Sequence, residues 1–320
     1  MTIDNRTVKL NSGYSLPLVG YGTFGGPDAP EQVYAGSKLA LEAGYRHFDT
    51  AYLYRTEEAL GKAIRESSVP REEIFVTTKL WQTFHEPQHV RPACERSLEL
   101  LGLDYIDLYM LHWPMAWKFV SYEFDDLKKP DENGDISRID VPIIETWRAM
   151  EELVKAGLVR SIGISNFTMP MLEELLKQCE IEPAVHQLEI HPSLPQEEML
   201  KFCNKYNIVL TAYSPLANPG YSGMPSMLSD PIVLRVAEKY GKTPVQVLLN
   251  WGVARGYAVI PKSVTPERIK ANFEHFNMDK EDIEAILDIG RTNQYRSCSP
   301  LRDFGPSNNI FDEPVDLYKK

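Results

Sequence analysis

The chain has 320 residues, of which 43% are apolar and 25% are charged, and its formal net charge is -11. This composition is that of an ordinary globular protein, so a largely disordered chain is not expected. The acidic balance disfavours binding to nucleic acid or to an anionic membrane through the overall field. Any phosphate site therefore requires a local basic cluster.

Cysteine spacing and apolar segments limit the class of protein further. Cys94, Cys179, Cys203 and Cys298 have no zinc-site or disulfide-framework spacing, and we expect reduced thiols. The opening residues MTIDNRTVKL hold no apolar segment of signal-peptide length, and no run approaches the ~20 apolar residues of a membrane span. We therefore expect a cytoplasmic protein, monomeric or homodimeric, without nucleic-acid or membrane partners.

The first predicted element is a small β-hairpin in TVKLNSGYSLPLVG, with Asn11, Ser12 and Gly13 at its turn. Short apolar runs then alternate with helical patterns that stop at Gly or before Pro. In chain order, the strand-like runs are LPLVGYG, YRHFDT, EEIFVTTK, YIDLYMLHW, VRSIGIS, PAVHQLEI, NIVLTAYS and YAVIPK.

Strand followed by helix, about eight times, predicts an α/β protein of the (β/α)8 TIM-barrel class rather than an open doubly wound sheet. No linker divides the chain, so we expect one domain over residues 1–320. Three regions do not fit the repeat: 115–140, 217–230 and the tail from Arg291. Long loops in compact domains are usually functional, and in a barrel the loops after the strands build the site at the C-terminal face.

Polar side chains stand where the predicted strands end. Asp49, Lys79 and His112 end three of the runs, and Tyr54 follows Asp49 by five residues. Taken singly, Asp49 could cap a helix, Lys79 could be a surface charge and His112 could be a core histidine. Together they favour an active site, because the carboxyl ends of barrel strands share one rim. The other strand-end residues are Ser165, Asn166, Gln187, Tyr213 and Lys262.

These residue types suit the reduction of a carbonyl group. Asp49 would keep a partly desolvated Lys79 protonated, and this cation would lower the pKa of Tyr54 below the ~10 of a free tyrosine. His112 would hold a substrate carbonyl oxygen while Tyr54 donates a proton to it as hydride reaches the carbon. No motif pairs a serine or cysteine nucleophile with a base and no metal-ligand spacing occurs, so the hydride must come from a cofactor.

The segment IPKSVTPERIKANF is the local basic cluster that the net charge requires. Lys262, Ser263 and Arg268 follow the last predicted strand, and Pro266 begins a helix to whose start Ser263 or Thr265 contributes. Two cations and a hydroxyl suit a monoester phosphate such as that of NADP(H). The alternative is a solvated helix start without a ligand.

Five motifs occur in the order typical of one family: GYRHFDTAYLYRTEEALG, TTKLW, LHWP, GISNF and IPKSVTPERIKANF. On these motifs the sequence resembles the aldo-keto reductases, close to the aldose reductase and xylose reductase branch, over residues from about 8 to about 293. The resemblance implies Tyr54 as the general acid of a catalytic tetrad. Its members are Asp49, Tyr54, Lys79 and His112.

The resemblance also implies NADPH (NADP+) extended across the rim, with the nicotinamide stacked on Tyr213. The implied cofactor-binding residues are Gly22, Thr23, Asp49, Ser165, Asn166, Gln187, Tyr213, Ser214, Leu216, Lys262, Ser263, Val264, Arg268 and Asn272. The sequence departs from the family at three positions. Phe24 stands where family members often have a tryptophan, and Ala271 stands where many have a glutamate that reaches adenine. Near Gly220, some members close the loop with an aspartate. The preference for NADPH is therefore expected to be modest, with NADH as a possible second cofactor.

The substrate pocket is expected to combine aromatic walls with basic residues of the tail. Its residues are Phe24, Tyr54, Trp81, His112, Trp113, Arg291 and Arg296, with Arg302 close by. The arginines, with Asn293 and Gln294 among them, suggest a sugar-type aldehyde, and specifically an acidic one such as a hexuronate held by a bidentate arginine. Two alternatives stay open: a non-catalytic binding module on the same barrel, and a hydrolase or lyase, for which the sequence shows neither carboxylate pair nor metal site.

Overall fold

Eight parallel strands form one curved sheet at the centre of the computed structural model, which describes residues 6–26, 28–130, 136–218, 226–292 and 294–312. A hairpin of β1 (Thr7–Lys9) and β2 (Ser15–Pro17) precedes them. The eight strands are β3 (Tyr21–Gly22), β4 (His47–Asp49), β5 (Phe75–Leu80), β6 (Ile106–Leu111), β9 (Val159–Ser165), β10 (Val185–Glu189), β11 (Val209–Tyr213) and β12 (Ala258–Val259). The remaining pair, β7 (Ala116–Trp117) and β8 (Arg138–Ile139), is antiparallel and lies in a loop.

The sheet closes on itself, because its first and last strands meet. Neighbours follow one another from β3 to β12, and a parallel bridge joins Val19 to Val259. Val259 N–H donates to Leu18 O, and Gly20 N–H donates to Val259 O, both at 2.8 Å. This closure confirms the predicted (β/α)8 barrel.

Glycine allows the seam to close. A Cβ atom on Gly22 would lie 2.8 Å from the carbonyl oxygen of Ile260, which is closer than real Cβ atoms come to backbone. Gly20, Gly22 and Gly25 have the spacing G-x-G-x-x-G of dinucleotide-binding open sheets. Here the same glycines lie at the seam of a closed barrel, so the spacing by itself does not identify an open sheet.

Helices surround the barrel, and α1 packs against α9 to complete the ring. They are α1 (Ala29–Ala43), α2 (Glu57–Arg65), α3 (Pro87–Leu101), α4 (Ile143–Lys155), α5 (Met169–Leu176), α6 (Glu197–Lys205), α7 (Pro231–Tyr240), α8 (Pro244–Ala254), α9 (Pro266–Asn272), α10 (Lys280–Thr292) and α11 (Pro300–Phe304). The sequence analysis did not predict α10 and α11. Among the described residues, no helix has the length and apolarity needed to cross a membrane.

Local sequence explains where these helices begin and end. At the start of α8, the Thr243 side chain accepts a hydrogen bond from Gln246 N–H, and the Gln246 side chain accepts one from Thr243 N–H, which is a capping box. At the end of α3, Gly102 adopts a left-handed conformation (φ 62°) and donates its N–H to Glu99 O. The strands of the barrel are almost entirely buried, as expected of a sheet covered by helices.

The predicted N-terminal hairpin forms and covers the amino-terminal end of the barrel. Its turn residue Asn11 donates from Nδ2 to Pro183 O at 3.0 Å, and Ser12 Oγ lies 2.7 Å from Ser161 Oγ. One end of the barrel is therefore covered. Of the three long regions identified in the sequence, the first follows β6 and the second follows β11, so both begin at the other end, whereas the tail begins at the end of α10. The first of them contains β7 and β8, the second a helical turn at Met227–Ser229, and the tail contains α11.

Candidate active site

The structure brings the four predicted tetrad residues to the carboxyl end of three neighbouring strands. Asp49 is the last residue of β4, Lys79 lies near the end of β5, and His112 directly follows β6. Tyr54 lies in a single helical turn, Tyr52–Tyr54, that follows β4. Because parallel strands end at the same rim, residues far apart in sequence meet there.

Asp49 and Lys79 form a buried ion pair. Lys79 Nζ donates to Asp49 Oδ1 at 2.6 Å and to the carbonyl oxygen of Thr50 at 2.8 Å. Burial lowers the pKa of Lys79, and the charge of Asp49 opposes that effect. The pair satisfies both charges, and it confirms the predicted contact.

Tyr54 and His112 face each other beside this ion pair. Tyr54 Oη lies 3.4 Å from His112 Nε2, and Lys79 Nζ lies 5.1 Å from the centre of the Tyr54 ring. Burial raises the pKa of Tyr54 well above 10, and the Asp49 carboxylate raises it further. The expectation that the pKa of Tyr54 lies below 10 is therefore wrong for this structure, because burial and the Asp49 carboxylate outweigh the nearby Lys79 cation.

His112 is uncharged at neutral pH. Burial lowers its pKa well below 6.5, and the positive charges of Lys79 and Lys128 lower it further. Within the described part of the chain, Nδ1 of this ring has no hydrogen-bond partner. A neutral imidazole beside a protonated phenol can hold a polar atom by hydrogen bonds without adding charge to the site.

Side chains from β9, β10 and β11 extend the tetrad into one hydrogen-bonded network. Gln187 Nε2 donates to Asp49 Oδ2 at 2.7 Å, and Gln187 O accepts a hydrogen bond from Ser165 Oγ at 2.9 Å. Asn166 has a left-handed backbone (φ 65°), donates from Nδ2 to His112 O and accepts from Tyr213 Oη at 2.7 Å. These strand-end residues therefore meet, as the sequence predicts.

The basic segment after β12 lies beside the start of the barrel. Lys262 and Arg268 are exposed, and within the described residues neither forms a hydrogen bond or an ion pair. Ser263 is buried, and its carbonyl oxygen accepts a hydrogen bond from Tyr21 Oη at 2.8 Å. A Cβ atom on Gly25 would lie 3.8 Å from Lys262 Nζ, so this amine lies against the loop that follows β3.

The other residues predicted to bind the cofactor differ in their surroundings. Thr23 N–H donates to Asp49 O at 3.0 Å, and Gly22 N–H donates to Pro261 O at 3.1 Å. Ser214 Oγ lies 4.0 Å from Cys298 Sγ in the tail. Leu216 and Ala271 are partly buried, Asn272 is buried at the end of α9, and Val264 is exposed. Gly220 lies outside the described residues.

Aromatic rings surround the Tyr54 and His112 side chains. Phe24 is 64% exposed and packs edge-on against Tyr54 at a centroid distance of 5.0 Å, while buried Trp81 packs against His112 at 5.2 Å. Trp113 packs edge-on against Phe304 of α11 at 5.7 Å. Phe304 was missed in the sequence, because α11 was not predicted.

The predicted arginines differ in their environments. Arg291 lies at the end of α10 and pairs with Glu284, Asp288 and Glu197 on the surface, at 2.7, 2.6 and 3.3 Å. These pairs occupy its guanidinium, so its predicted contact with substrate lacks support. Arg296 stacks over the Phe311 ring at 3.7 Å.

Arg302 is also engaged. Its Nε donates to Asp303 Oδ1 at 2.8 Å and Nη2 donates to Asp303 Oδ2 at 3.1 Å. Of the neighbouring polar residues, Gln294 is exposed and Asn293 lies outside the described residues. Arg296 is therefore the arginine of the three whose placement is compatible with the pocket, since its charge reaches Tyr213 and opposes the effect of burial on the pKa of that ring.

No cluster of three or more metal-ligating side chains occurs in the part of the chain that the structure describes.

A profile of the Aldo/keto reductase family matches residues 18–291. Glycerol 2-dehydrogenase (NADP(+)) of Hypocrea jecorina is 42% identical over 94% of this chain and 97% of its own length. D/L-glyceraldehyde reductase of the same organism is 42% identical over 90% and 89%. The solved aldose reductase of Schistosoma japonicum aligns with a TM-score of 0.87 and 39% identity over 96% of this chain and 99% of that one. The chain therefore belongs to the aldo/keto reductase family.

Proposed function

We propose that this protein reduces the carbonyl group of an aldehyde to an alcohol with NADPH, and that Tyr54 is the general acid. The observation that carries the proposal is the pairing of Tyr54 Oη with His112 Nε2 at 3.4 Å, beside the buried Lys79–Asp49 pair. A phenol kept protonated next to a neutral imidazole is a proton donor at neutral pH.

The chain's own residues fit an NADP-type cofactor. Lys262 and Arg268 offer two exposed cations without partners among the described residues, in a protein of net charge -11, and a phosphate monoester satisfies both. Tyr213 offers a ring for stacking, and the polar side chains of Ser165, Asn166 and Gln187 lie beside it for an amide group. The cofactor supplies the hydride. NADH is expected as a second, less favoured cofactor.

Each tetrad residue has a separate task in the proposal. His112 holds the carbonyl oxygen of the substrate, and Tyr54 donates its proton to that oxygen. Lys79 keeps a positive charge beside the phenol, which stabilises the oxygen after the proton has left. Asp49 holds Lys79 in position through the 2.6 Å contact. The buried aromatic wall formed by Trp81 and Trp113 restricts water near the reacting atoms.

A non-catalytic cofactor-binding module on the same barrel is the alternative. Nothing in a binding module requires a buried lysine, a buried aspartate and a protonated tyrosine to meet at one rim, and burial of such groups is costly. The complete and closely packed tetrad therefore favours an enzyme. Monomer and homodimer remain the two expected assembly states.

The substrate is expected to be an aldose or a sugar acid such as a hexuronate of the D-galacturonate or D-glucuronate type. The names of the relatives, glycerol 2-dehydrogenase and D/L-glyceraldehyde reductase, fit small polyhydroxylated substrates. The exposed Phe24 and the partly buried Arg296 border the site and can contact the hydroxyl-bearing chain.

The test is the Tyr54→Phe variant, which keeps the ring and removes the acidic hydroxyl. We expect NADPH-dependent reduction of DL-glyceraldehyde to fall by at least about a thousandfold, while NADPH binding measured by fluorescence quenching stays within about twofold. Tyr52→Phe, two residues away in the same helical turn, is the matched control and should retain most of its activity. Substantial turnover in the Tyr54 variant would reject Tyr54 as the acid.

A further inference from the structure

Lys128 is a cation that takes part neither in the ion pairs among the described residues nor in the proposed mechanism. It lies in the loop between β7 and β8, directly after Leu127, whose carbonyl oxygen accepts a hydrogen bond from Trp81 Nε1 at 2.7 Å. Leu127 is buried, so the backbone before Lys128 is fixed to the aromatic wall of the site. The loop therefore holds the backbone at Lys128 in a defined place.

The amine of the exposed Lys128 lies over two aromatic rings beside the candidate active site. Nζ is 5.6 Å from the centre of the Trp81 ring and 5.3 Å from that of Phe304. Within the described residues, Lys128 forms no hydrogen bond and no ion pair. Its neighbour Lys129 differs, because Lys129 Nζ contacts Asp126 Oδ1 at 3.2 Å. The two lysines thus share one loop, yet only Lys129 has a carboxylate partner.

Trp81 connects this amine to the reacting groups. The same indole that lies under Lys128 packs against the His112 ring at a centroid distance of 5.2 Å. The charge of Lys128 is close enough to lower the pKa of His112. Trp81 itself is fully buried, so a molecule whose aldehyde reaches His112 would pass beside this ring rather than rest on it, with its far end at Lys128.

We propose that Lys128 binds the carboxylate of an aldehyde acid, so that it selects substrates in which several carbon atoms separate the carboxylate from the aldehyde. This inference rests on the proposed function and names the chemical class of its substrate. A hexuronate in its open-chain form has this arrangement.

The surroundings favour an anion at this point. Burial lowers the pKa of Lys128, and a bound carboxylate would restore the preference for the charged amine. The Asp303 carboxylate opposes the effect of burial on this pKa, and it already accepts a hydrogen bond from Arg302. The protein has a net charge of -11, so attraction of an anionic substrate must come from a local cation.

The experiment compares D-galacturonate with D-galactose, and D-glucuronate with D-glucose, as substrates for wild type and three variants. Lys128→Met retains the length and apolar stem of the side chain and removes the charge. Lys128→Arg retains the charge, and Lys129→Met is the matched control. DL-glyceraldehyde, which is neutral, reports the activity that does not depend on the carboxylate.

We expect wild type to prefer each acid over its neutral sugar in kcat/KM. Lys128→Met should lose about tenfold or more of kcat/KM for the acids, mainly through KM, and less than about twofold for glyceraldehyde. Lys128→Arg should restore most of the loss and Lys129→Met should show none.

Two results would overturn the inference while leaving the proposed reductase intact. In the first, wild type reduces glyceraldehyde but shows no preference for the acids over their neutral sugars. In the second, that preference survives in Lys128→Met. Transfer of the whole effect to an Arg296→Met variant would also overturn it. Failure of wild type to reduce every aldehyde in the set would reject the proposed function itself, together with this inference.

Discussion

Tyr54 and His112 lie 3.4 Å apart, and burial moves their pKa values in opposite directions. The pKa of Tyr54 rises and that of His112 falls, so both rings are neutral near pH 7. We expect kcat for aldehyde reduction to be level through neutral pH and to fall only in alkaline solution, where Tyr54 loses its proton. Oxidation of the alcohol needs a deprotonated acceptor and should rise over the same alkaline range. A loss of reduction near neutrality, measured in steady-state pH profiles, would contradict this assignment.

Glu57, at the start of α2, lies buried behind the tetrad and accepts a hydrogen bond from Thr78 Oγ1 at 2.6 Å. Burial raises its pKa from 4.5 to about 7. At pH values between 4.5 and about 7, the folded protein binds more protons than the unfolded chain. The free energy of unfolding therefore falls as the pH rises through that range. Glu57→Gln stays neutral, and its free energy of unfolding relative to wild type should rise by about 3 kcal/mol between acidic and mildly alkaline pH.

Urea denaturation at several pH values measures this difference. Glu58→Gln is the control, because Glu58 is exposed on the same helix and should show little change. A gap between Glu57→Gln and wild type that does not vary with pH would mean that Glu57 is ionised in the folded protein throughout.

The meeting of Asp49, Lys79 and His112 could be predicted from sequence, because their strand-end positions bring them to one rim, and Tyr54 follows Asp49 in the next turn of the chain. Their ionisation states could not be predicted from sequence, since the pKa of Tyr54 depends on how deeply the ring is buried and on whether Lys79 already has a partner. Lys128 gave no signal either. It lies in a loop outside the repeat, where periodicity gives no indication of what a side chain contacts.

At the scale of the element, the segment from β12 through α9 determines the expected preference for NADPH. Each charge-assisted contact between a phosphate and Lys262 or Arg268 should contribute about 1.5–3 kcal/mol. Replacing both residues by methionine should raise KM for NADPH by at least about a hundredfold and change KM for NADH by less than about threefold. Lys270→Met, on the same helix, is the control. Equal losses for the two cofactors would exclude a phosphate site at this segment.

The tail shows why element prediction stopped early. After α9 the strand–helix repeat ends, and the prediction stopped there, although Lys280–Thr292 has acidic residues in its first turn and Arg291 in its last. The pattern did not indicate how the chain would return to the rim. One of the contacts that hold the returning tail involves a buried carboxylate. Glu189 of β10 accepts hydrogen bonds from Ser297 N–H at 2.7 Å and Cys298 N–H at 2.9 Å. Such a pairing joins residues far apart in sequence and leaves no local signal.

At the scale of the whole molecule, the repeat of short apolar runs and helices was sufficient to predict the barrel. Each run is buried on both faces, and eight of them with helices between suit a closed sheet. The closure itself depends on backbone contacts between the first and the last strand, at Val19 and Val259. Since these two strands are separated by most of the chain, we expect the proposed single domain to unfold as one unit.

Gly22 offers a test of that expectation at the seam. A Cβ atom there would approach the backbone oxygen of Ile260 to 2.8 Å, and a carbonyl group in a strand end cannot rotate away as a side chain would. Gly22→Ala should therefore lower the free energy of unfolding by about 1–3 kcal/mol. Gly26→Ala is the matched control, because a Cβ atom there meets nothing within 4 Å.

In urea titrations, far-ultraviolet circular dichroism and tryptophan fluorescence should move to lower midpoints together, because a weakened seam weakens the entire barrel. Two separate transitions in the Gly22 variant would show that the barrel is built from independently stable parts.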